Sequence, residues 1–188
     1  MNSLQRACSK IDVVIDLNSP EYSQKLEWLT NTNYNQELKK KGPRSKDVIR
    51  LHSSYGLGSE LALHSTNEFD DSCEIVEDAN SLKYEDRQRD LISKSTGLSV
   101  QVKSYNNKNK VWYISNSQYY SIKRSSQHND VYIVMSYDVI SSLKYKFKSK
   151  FLIDSNRIMK YIKSCRSKYS NYYFDHQEAI NDGACIAL

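Results

Sequence analysis

Three observations predict an α/β sandwich around a mixed sheet. Five short strand-like runs follow one another closely in the middle of the chain. One helical pattern precedes them and a second falls between them. The last run, Val131–Met135, is apolar throughout, so this strand reads as buried.

Taken in order, Lys10–Leu17 is β-branched and apolar and reads as a short strand. Asn18-Ser19-Pro20-Glu21 opens a helix, with Ser19 as N-cap and Pro20 at the first helical position. Tyr22, Leu26 and Leu29 form its apolar stripe, with Trp28 beside it, and Lys39-Lys40-Lys41-Gly42-Pro43 ends the region in a loop. From Ser45 to about Ser65, Val48, Ile49, Leu51, Tyr55, Leu57, Leu61 and Ala62 give a second helical pattern. Gly56 and Gly58 interrupt it, which predicts a break or a close backbone approach. An acidic stretch, Asn67–Asp86, holds one strand signal at Cys73–Val76.

Arg89–Ser93 and Leu98–Ser104 then read as two strands joined by a tight turn at Ser95-Thr96-Gly97, where Gly97 supplies a positive φ. Lys110–Ile114 is a third strand. Ser115 or Ser117 caps a short helix around Gln118–Ser125, and Val131–Met135 follows. The remainder reads as a basic strand (Tyr145–Leu152), a helix (Asp154–Cys165) and a loose end. We divide the chain into an N-terminal helical extension (1–45), a core (46–140) and a basic, Tyr/Lys-rich C-terminal extension (141–188).

At 188 residues the chain suits a single domain with a sizeable core. With 26% charged residues and a mean hydropathy of −0.70, it reads as a soluble protein. No apolar run approaches the roughly 20 residues of a membrane helix, and the N-terminus has no signal-peptide core. A cytoplasmic location without a membrane partner is therefore expected. Cys8, Cys73, Cys165 and Cys185 lack metal-ligand spacing and read as reduced, buried thiols. GxxxxGK[ST], GxSxG and HExxH motifs are absent from the sequence, so phosphate-loop, serine-hydrolase and zincin chemistry lack support. Charge is uneven: residues 1–100 carry 13 Lys/Arg against 16 Asp/Glu, whereas residues 101–188 carry 14 against 6. The basic half also holds 11 of the 15 tyrosines, a composition suited to a polyanion. A solvated surface from a Lys/Asn/Tyr-rich genome explains it equally well.

The hairpin carries the chemistry. Side chains alternate along a strand, so Gln101 and Lys103 face one way and Val100 and Val102 the other. Asp90, on the neighbouring strand, can sit beside the Gln101/Lys103 face. A carboxylate, an amide oxygen and an ammonium at one sheet edge can hold a divalent cation and a phosphodiester. Such a cation acidifies bound water and stabilises charge on the scissile phosphate. Glu60, on the second helix, is the expected third acidic member, with His64 one turn further along. Asp86, Asp78 and Glu77 are alternatives to Asp90.

The ordered set of Glu60 helix, Asp90, turn, Gln101-x-Lys103 strand, then strand and helix, resembles the PD-(D/E)xK nuclease superfamily over about Ser54–Tyr137. The resemblance implies a restriction-endonuclease-like α-β-β-β-α-β core, with a central mixed sheet flanked by helices. Asp90 matches the family's metal-binding aspartate, Gln101 its second acidic position, Lys103 its lysine and Glu60 its helix glutamate. Arg89 stands in place of the motif's proline. The Gln-x-Lys form is similar to a branch of bacterial intron-encoded homing endonucleases, and to some restriction enzymes and junction resolvases.

What the resemblance implies is a Mg²⁺-dependent endonuclease, with Mn²⁺ as a substitute, that cuts double-stranded DNA at specific sites. Asp90, Gln101 and Glu60 would be its metal ligands and Lys103 its catalytic lysine. A homodimer or higher homo-oligomer would bring two active sites to one duplex. Lys108, Lys110, Lys123, Arg124, Lys144, Lys146, Lys148 and Lys150 are the expected DNA contacts. Residues 1–45 are either a dimerisation element or a DNA-contacting arm. The competing reading is a DNA-binding module on the same fold without catalysis, and a third is a plain interaction protein.

Overall fold

The computed structural model describes residues 3–71, 76–78, 81–83, 90–165 and 170–188, with residues 71, 76–78 and 81–83 described by their backbone. The expected strand Cys73–Val76 lies almost wholly outside the described residues, as do Asp86 and Arg89.

The chain begins with α1 (Ser3–Ser9), β1 (Asp12–Asp16), α2 (Pro20–Glu37) and α3 (Lys46–His64). Strands β2 (Phe69–Asp71), β3 (Val76–Asp78), β4 (Ser81–Lys83), β5 (Leu91–Ser93), β6 (Ser99–Asn106) and β7 (Tyr113–Ile114) follow. Next come α4 (Asn116–Ser125), β8 (Val131–Ser141), β9 (Lys144–Asp154) and a 3₁₀ turn at Ile158–Tyr161. The chain closes with β10 (Ile162–Ser164), β11 (Tyr172–Phe174), α5 (His176–Asn181) and β12 (Cys185–Ala187).

The main sheet has the order β1-β9-β8-β6-β5-β2, with β12 pairing β9 beside it. The β6–β8 pair is parallel, from Val100↔Val131 to Asn106↔Tyr137, and the other pairings are antiparallel. A parallel pair needs a crossover, and α4 lies within it. The expected α/β class with a mixed sheet flanked by helices is what the structure shows.

Both faces of the sheet are covered. Val100, Val102, Ile133 and Met135 face Leu57, Ala62 and Leu63 of α3, with Leu4 and Cys8 of α1 and Leu26 of α2 in the same cluster. Tyr132, Val134 and Ile153 belong to a second cluster with Ile122 of α4, Trp112, Ile114, Tyr161 and Phe174. Val131–Met135 is therefore apolar throughout because successive residues point into two different cores.

Several expectations hold in detail. The β5–β6 hairpin has Gly97 at φ +69°. Ser115 caps α4 through a reciprocal capping box with Gln118. Helix α3 runs unbroken, so the close-approach reading of its glycines applies, and it applies to Gly58. A Cβ at Gly58 would lie 2.6 Å from ring carbons of the buried Phe147, whereas one at Gly56 would meet open space.

Other expectations give way. Ser19 precedes α2 but makes no side-chain cap; among the described residues its buried hydroxyl has no hydrogen-bond partner. The strand expected at Lys110–Ile114 shrinks to Tyr113–Ile114 and leaves the main sheet for a second one, ordered β10-β11-β7. The helix expected at Asp154–Cys165 is a 3₁₀ turn followed by β10, because Ile162 pairs with Phe174 from a later part of the chain. The expected loose end is ordered by that pairing, by α5 and by β12 against β9. The two outer segments are woven into the main sheet, with β1 pairing β9 and β9 lying between β1 and β8.

Candidate functional site

Strand β5 is short, and that brevity sets the site. Its pairing with β6 runs through Leu91↔Val100, and the Asp90 N–H donates to Val100 O at 3.0 Å. One step further along, the Asp90 carboxylate takes over the ladder: its Oδ2 accepts the Val102 N–H at 2.7 Å. The same oxygen accepts a hydrogen bond from Gln101 Nε2. Gln101 is 4% exposed, and Lys103, two residues on, is half-buried.

Burial pushes the Asp90 carboxyl above its ordinary value of 3.8, outweighing the Lys103 ammonium and the two donated hydrogen bonds, which act the other way. Tyr132 stands cross-strand from Gln101 and its hydroxyl bonds Ser125 and the Ile122 carbonyl. Its phenol is pushed up to about 12 by burial, with a smaller contribution from the Asp90 charge. Tyr132 was not legible as a neighbour of the site, because that depends on the β6–β8 register.

The structure thus brings Asp90, Gln101 and Lys103 together. Glu60 sits on α3, which packs on the Val100/Val102 face of the sheet, the face opposite Gln101. It lines a cavity of about 340 Å³ between α2 and α3, with Asn33, Gln36, Glu37, Arg44 and His52. In that cleft Glu37, 5% exposed, accepts from Arg44 Nε at 2.9 Å, Arg44 Nη2 at 2.9 Å and Lys40 Nζ at 2.6 Å. His64 ends α3. Among the described residues, no group of three His, Cys, Asp or Glu side chains is placed to hold a metal ion. Glu77 and Asp78 lie in β3, where only the backbone is described, and Asp86 lies outside the described residues.

The basic residues divide into three places. Lys108 and Lys110 are exposed in the turn after β6. Lys123 and Arg124 are exposed in the last turn of α4, where the helix dipole also favours them. The lysines of β9 face the acidic residues of β1: Lys144 pairs with Asp16 at 3.2 Å and Lys146 with Asp12 at 2.9 Å. Lys148 is exposed and Lys150 half-buried, and neither makes an ion pair among the described residues. The tyrosines of the basic half would serve a polyanion together with these lysines only from the surface. Tyr132, Tyr145 and Tyr161 are instead fully buried and Tyr137 is 8% exposed, because aromatic rings fill both layers of the core.

Cys8 and Cys185 are buried free thiols, each pushed up to about 12 chiefly by burial, which keeps them protonated and unreactive. Cys73 lies outside the described residues. Among the described residues, no helix is long and apolar enough to cross a membrane. Comparison of the chain with protein-family models, curated proteins and solved structures finds no match.

Proposed function

We propose that the protein is a metal-dependent endonuclease that hydrolyses phosphodiester bonds of double-stranded DNA at specific sites, of the restriction or homing type. The observation that carries this reading is the Asp90 carboxylate held by Gln101 and the Val102 N–H beside Lys103, at the end of a β-hairpin. Its setting supports the PD-(D/E)xK resemblance: α3, β2, β5, β6, α4 and β8 follow in the order α-β-β-β-α-β, with β3 and β4 inserted after β2 and β7 before α4.

The donor chemistry fits a hard cation in part. Asp90 offers carboxylate oxygen, the ligand Mg²⁺ or Mn²⁺ prefers, while Gln101 is engaged as a donor to that carboxylate. Asp90 would hold the ion; Gln101 orients it rather than serving as a second acid, and Glu60 belongs to the α2–α3 cleft. When bound, the ion supplies acidified water and charge neutralisation. Lys103 contributes a positive charge beside the scissile phosphate. Cutting both strands calls for two such sites, hence a symmetric pair of chains.

One observation favours a second reading, a DNA-binding module without catalysis: the amide at position 101 donates to Asp90 instead of adding a second carboxylate. The two separate in one experiment. Mixed-sequence DNA is incubated with the protein, with Mg²⁺ or EDTA, beside Asp90→Asn and Lys103→Ala. Discrete products that need Mg²⁺ and vanish in both variants, while DNA binding persists, support the nuclease. Binding without products in the wild type establishes the module, and neither binding nor products refutes both.

A further inference from the structure

We propose that Tyr105 and Lys148 together hold one phosphate of the DNA backbone beside Lys103, on the exposed end of the main sheet. The second core stops short of that end. On the Gln101 face, Tyr132 and Ile153 are fully buried. Further along β9, Tyr145 and Phe147 turn into the α3 core, while Lys146 and Lys148, which alternate with them, are exposed. Val14, the cross-strand partner of Lys146, is 46% exposed on the same face. Asp90, Gln101 and Lys103 sit where the covered part gives way to the open part, so a ligand reaches them from the open end.

Strand β6 keeps an unbroken register with β8 from Val100 to Asn106, so Gln101, Lys103 and Tyr105 point the same way. Tyr105 is the cross-strand partner of Ser136, and Ser136 that of Lys148. Neighbouring strands lie about 4.8 Å apart, so Tyr105 and Lys148 stand about 10 Å apart with only a serine between them. Two long side chains with polar ends can meet one group over that gap. The Tyr105 ring packs against the second core, and no hydrogen bond among the described residues occupies its hydroxyl. Burial holds the phenol above its ordinary 10, so it stays a donor at neutral pH. Lys148 is cross-strand from Asp12, but that carboxylate pairs with Lys146 at 2.9 Å. Asp16 is taken by Lys144 at 3.2 Å, and Asp138 accepts from the Asn107 amide at 3.1 Å.

A neutral O–H and an ammonium converging on one point suit a phosphate, whose oxygens accept from both. Tyr105 lies two residues beyond Lys103, about 7 Å along the strand, close to the step between successive phosphates of a nucleic-acid backbone. With Lys103 at the scissile phosphate, Tyr105 and Lys148 take its neighbour. That placement rests on the nuclease reading of Asp90 and Lys103, whereas holding the backbone requires no metal.

Fluorescence anisotropy in EDTA tests this, with a labelled mixed-sequence duplex titrated across a range of salt. The proteins are wild type, Tyr105→Phe, Lys148→Ala and the double variant, with melting curves to check that each is folded. Tyr105→Phe keeps the packed ring and removes a donor without removing a charge. It should weaken binding about tenfold and leave the salt slope unchanged, whereas Lys148→Ala should weaken binding and lower the slope by about 1. A phosphate released by one side chain is held less well by the other, so the double variant should lose less than the product of the single losses. Wild-type affinity in Tyr105→Phe, or single losses that multiply in full, overturns the shared phosphate whatever cleavage shows. The full pattern in a protein that makes no Mg²⁺-dependent products leaves it standing and overturns the nuclease reading. No duplex binding overturns both.

Discussion

Substitutions at Asp90 separate what this carboxylate does for the fold from what it does for chemistry. Its Oδ2 satisfies the Val102 N–H and the Gln101 amide in a buried setting. Burial raises its pKa above 3.8, so its contribution to stability is complete below that value and is lost as pH rises through the folded-state pKa. At neutral pH the ionised form therefore costs stability. Asp90→Asn removes that cost and keeps an acceptor for the Val102 N–H. It should melt at or above the wild-type temperature near pH 7 and lose its advantage as pH falls toward about 4.

Asp90→Ala strands two donors at about 1–3 kcal/mol each. Allowing for the buried charge it relieves, a net loss of about 2–3 kcal/mol is expected, or about 4–12 °C in Tm for a chain of this size. Both variants should fail to cleave DNA. Thermal melts of the three proteins between about pH 4 and about pH 8 give the comparison. A wild type that gains stability over Asp90→Asn as pH rises would refute the reasoning, because it would mean that the folded state favours the charged form.

The glycines of α3 should respond in opposite directions. Gly56→Ala meets open space and gains helix propensity, so it should stabilise by about 0.5–1 kcal/mol. Gly58→Ala gains the same propensity but drives a methyl group into Phe147, which is braced by Tyr137 and Tyr145; a net loss of about 1–2 kcal/mol in urea unfolding is expected. Glu37 is held far below its ordinary 4.5, by Arg44 first and then Lys40, so its contribution is present above 4.5 and is lost as pH falls through the folded-state pKa. The stability margin of wild type over Glu37→Gln should therefore shrink on acidification, and a margin that grows instead contradicts the pairing. On β9, Lys148→Ala should weaken duplex binding and reduce the salt slope by about 1, whereas Asp12→Asn should strengthen binding by releasing Lys146. Salt titrations of DNA affinity that show no change in either variant would place the duplex elsewhere.

Local signals were legible where one stretch of chain determines the outcome. The Ser115–Gln118 capping box, the Gly97 turn and the alternation of Val100, Gln101, Val102 and Lys103 each follow from a few adjacent residues. What escaped depends on residues far apart in sequence. Ile158, Tyr161 and Ile162 have apolar spacing compatible with a helix, and only Phe174 pairing with Ile162 turns that segment into a strand. Tyr145, set among the lysines of a basic strand, reads as a surface residue by its neighbours, but the core needed a large ring and took it. Glu60 has the spacing of a helix acid near a sheet edge; which way it faces is decided by α2, whose packing against α3 opens the cleft that Glu60 lines.

Asp90 shows why the site itself was only half legible. Position and residue type identify a carboxylate at the end of a short strand beside Gln-x-Lys, and the hairpin geometry puts the three together. That same geometry gives the carboxylate a purely architectural role, since it accepts the Val102 N–H just beyond the point where β5 stops pairing with β6. A residue that closes a strand and a residue that holds a cation can thus occupy the same position with the same neighbours. Asparagine at position 90 can still close the strand, but it lacks the negative charge that a cation requires. The contrast between Asn and Ala there, read in stability and in cleavage together, is therefore what separates architecture from catalysis in this fold.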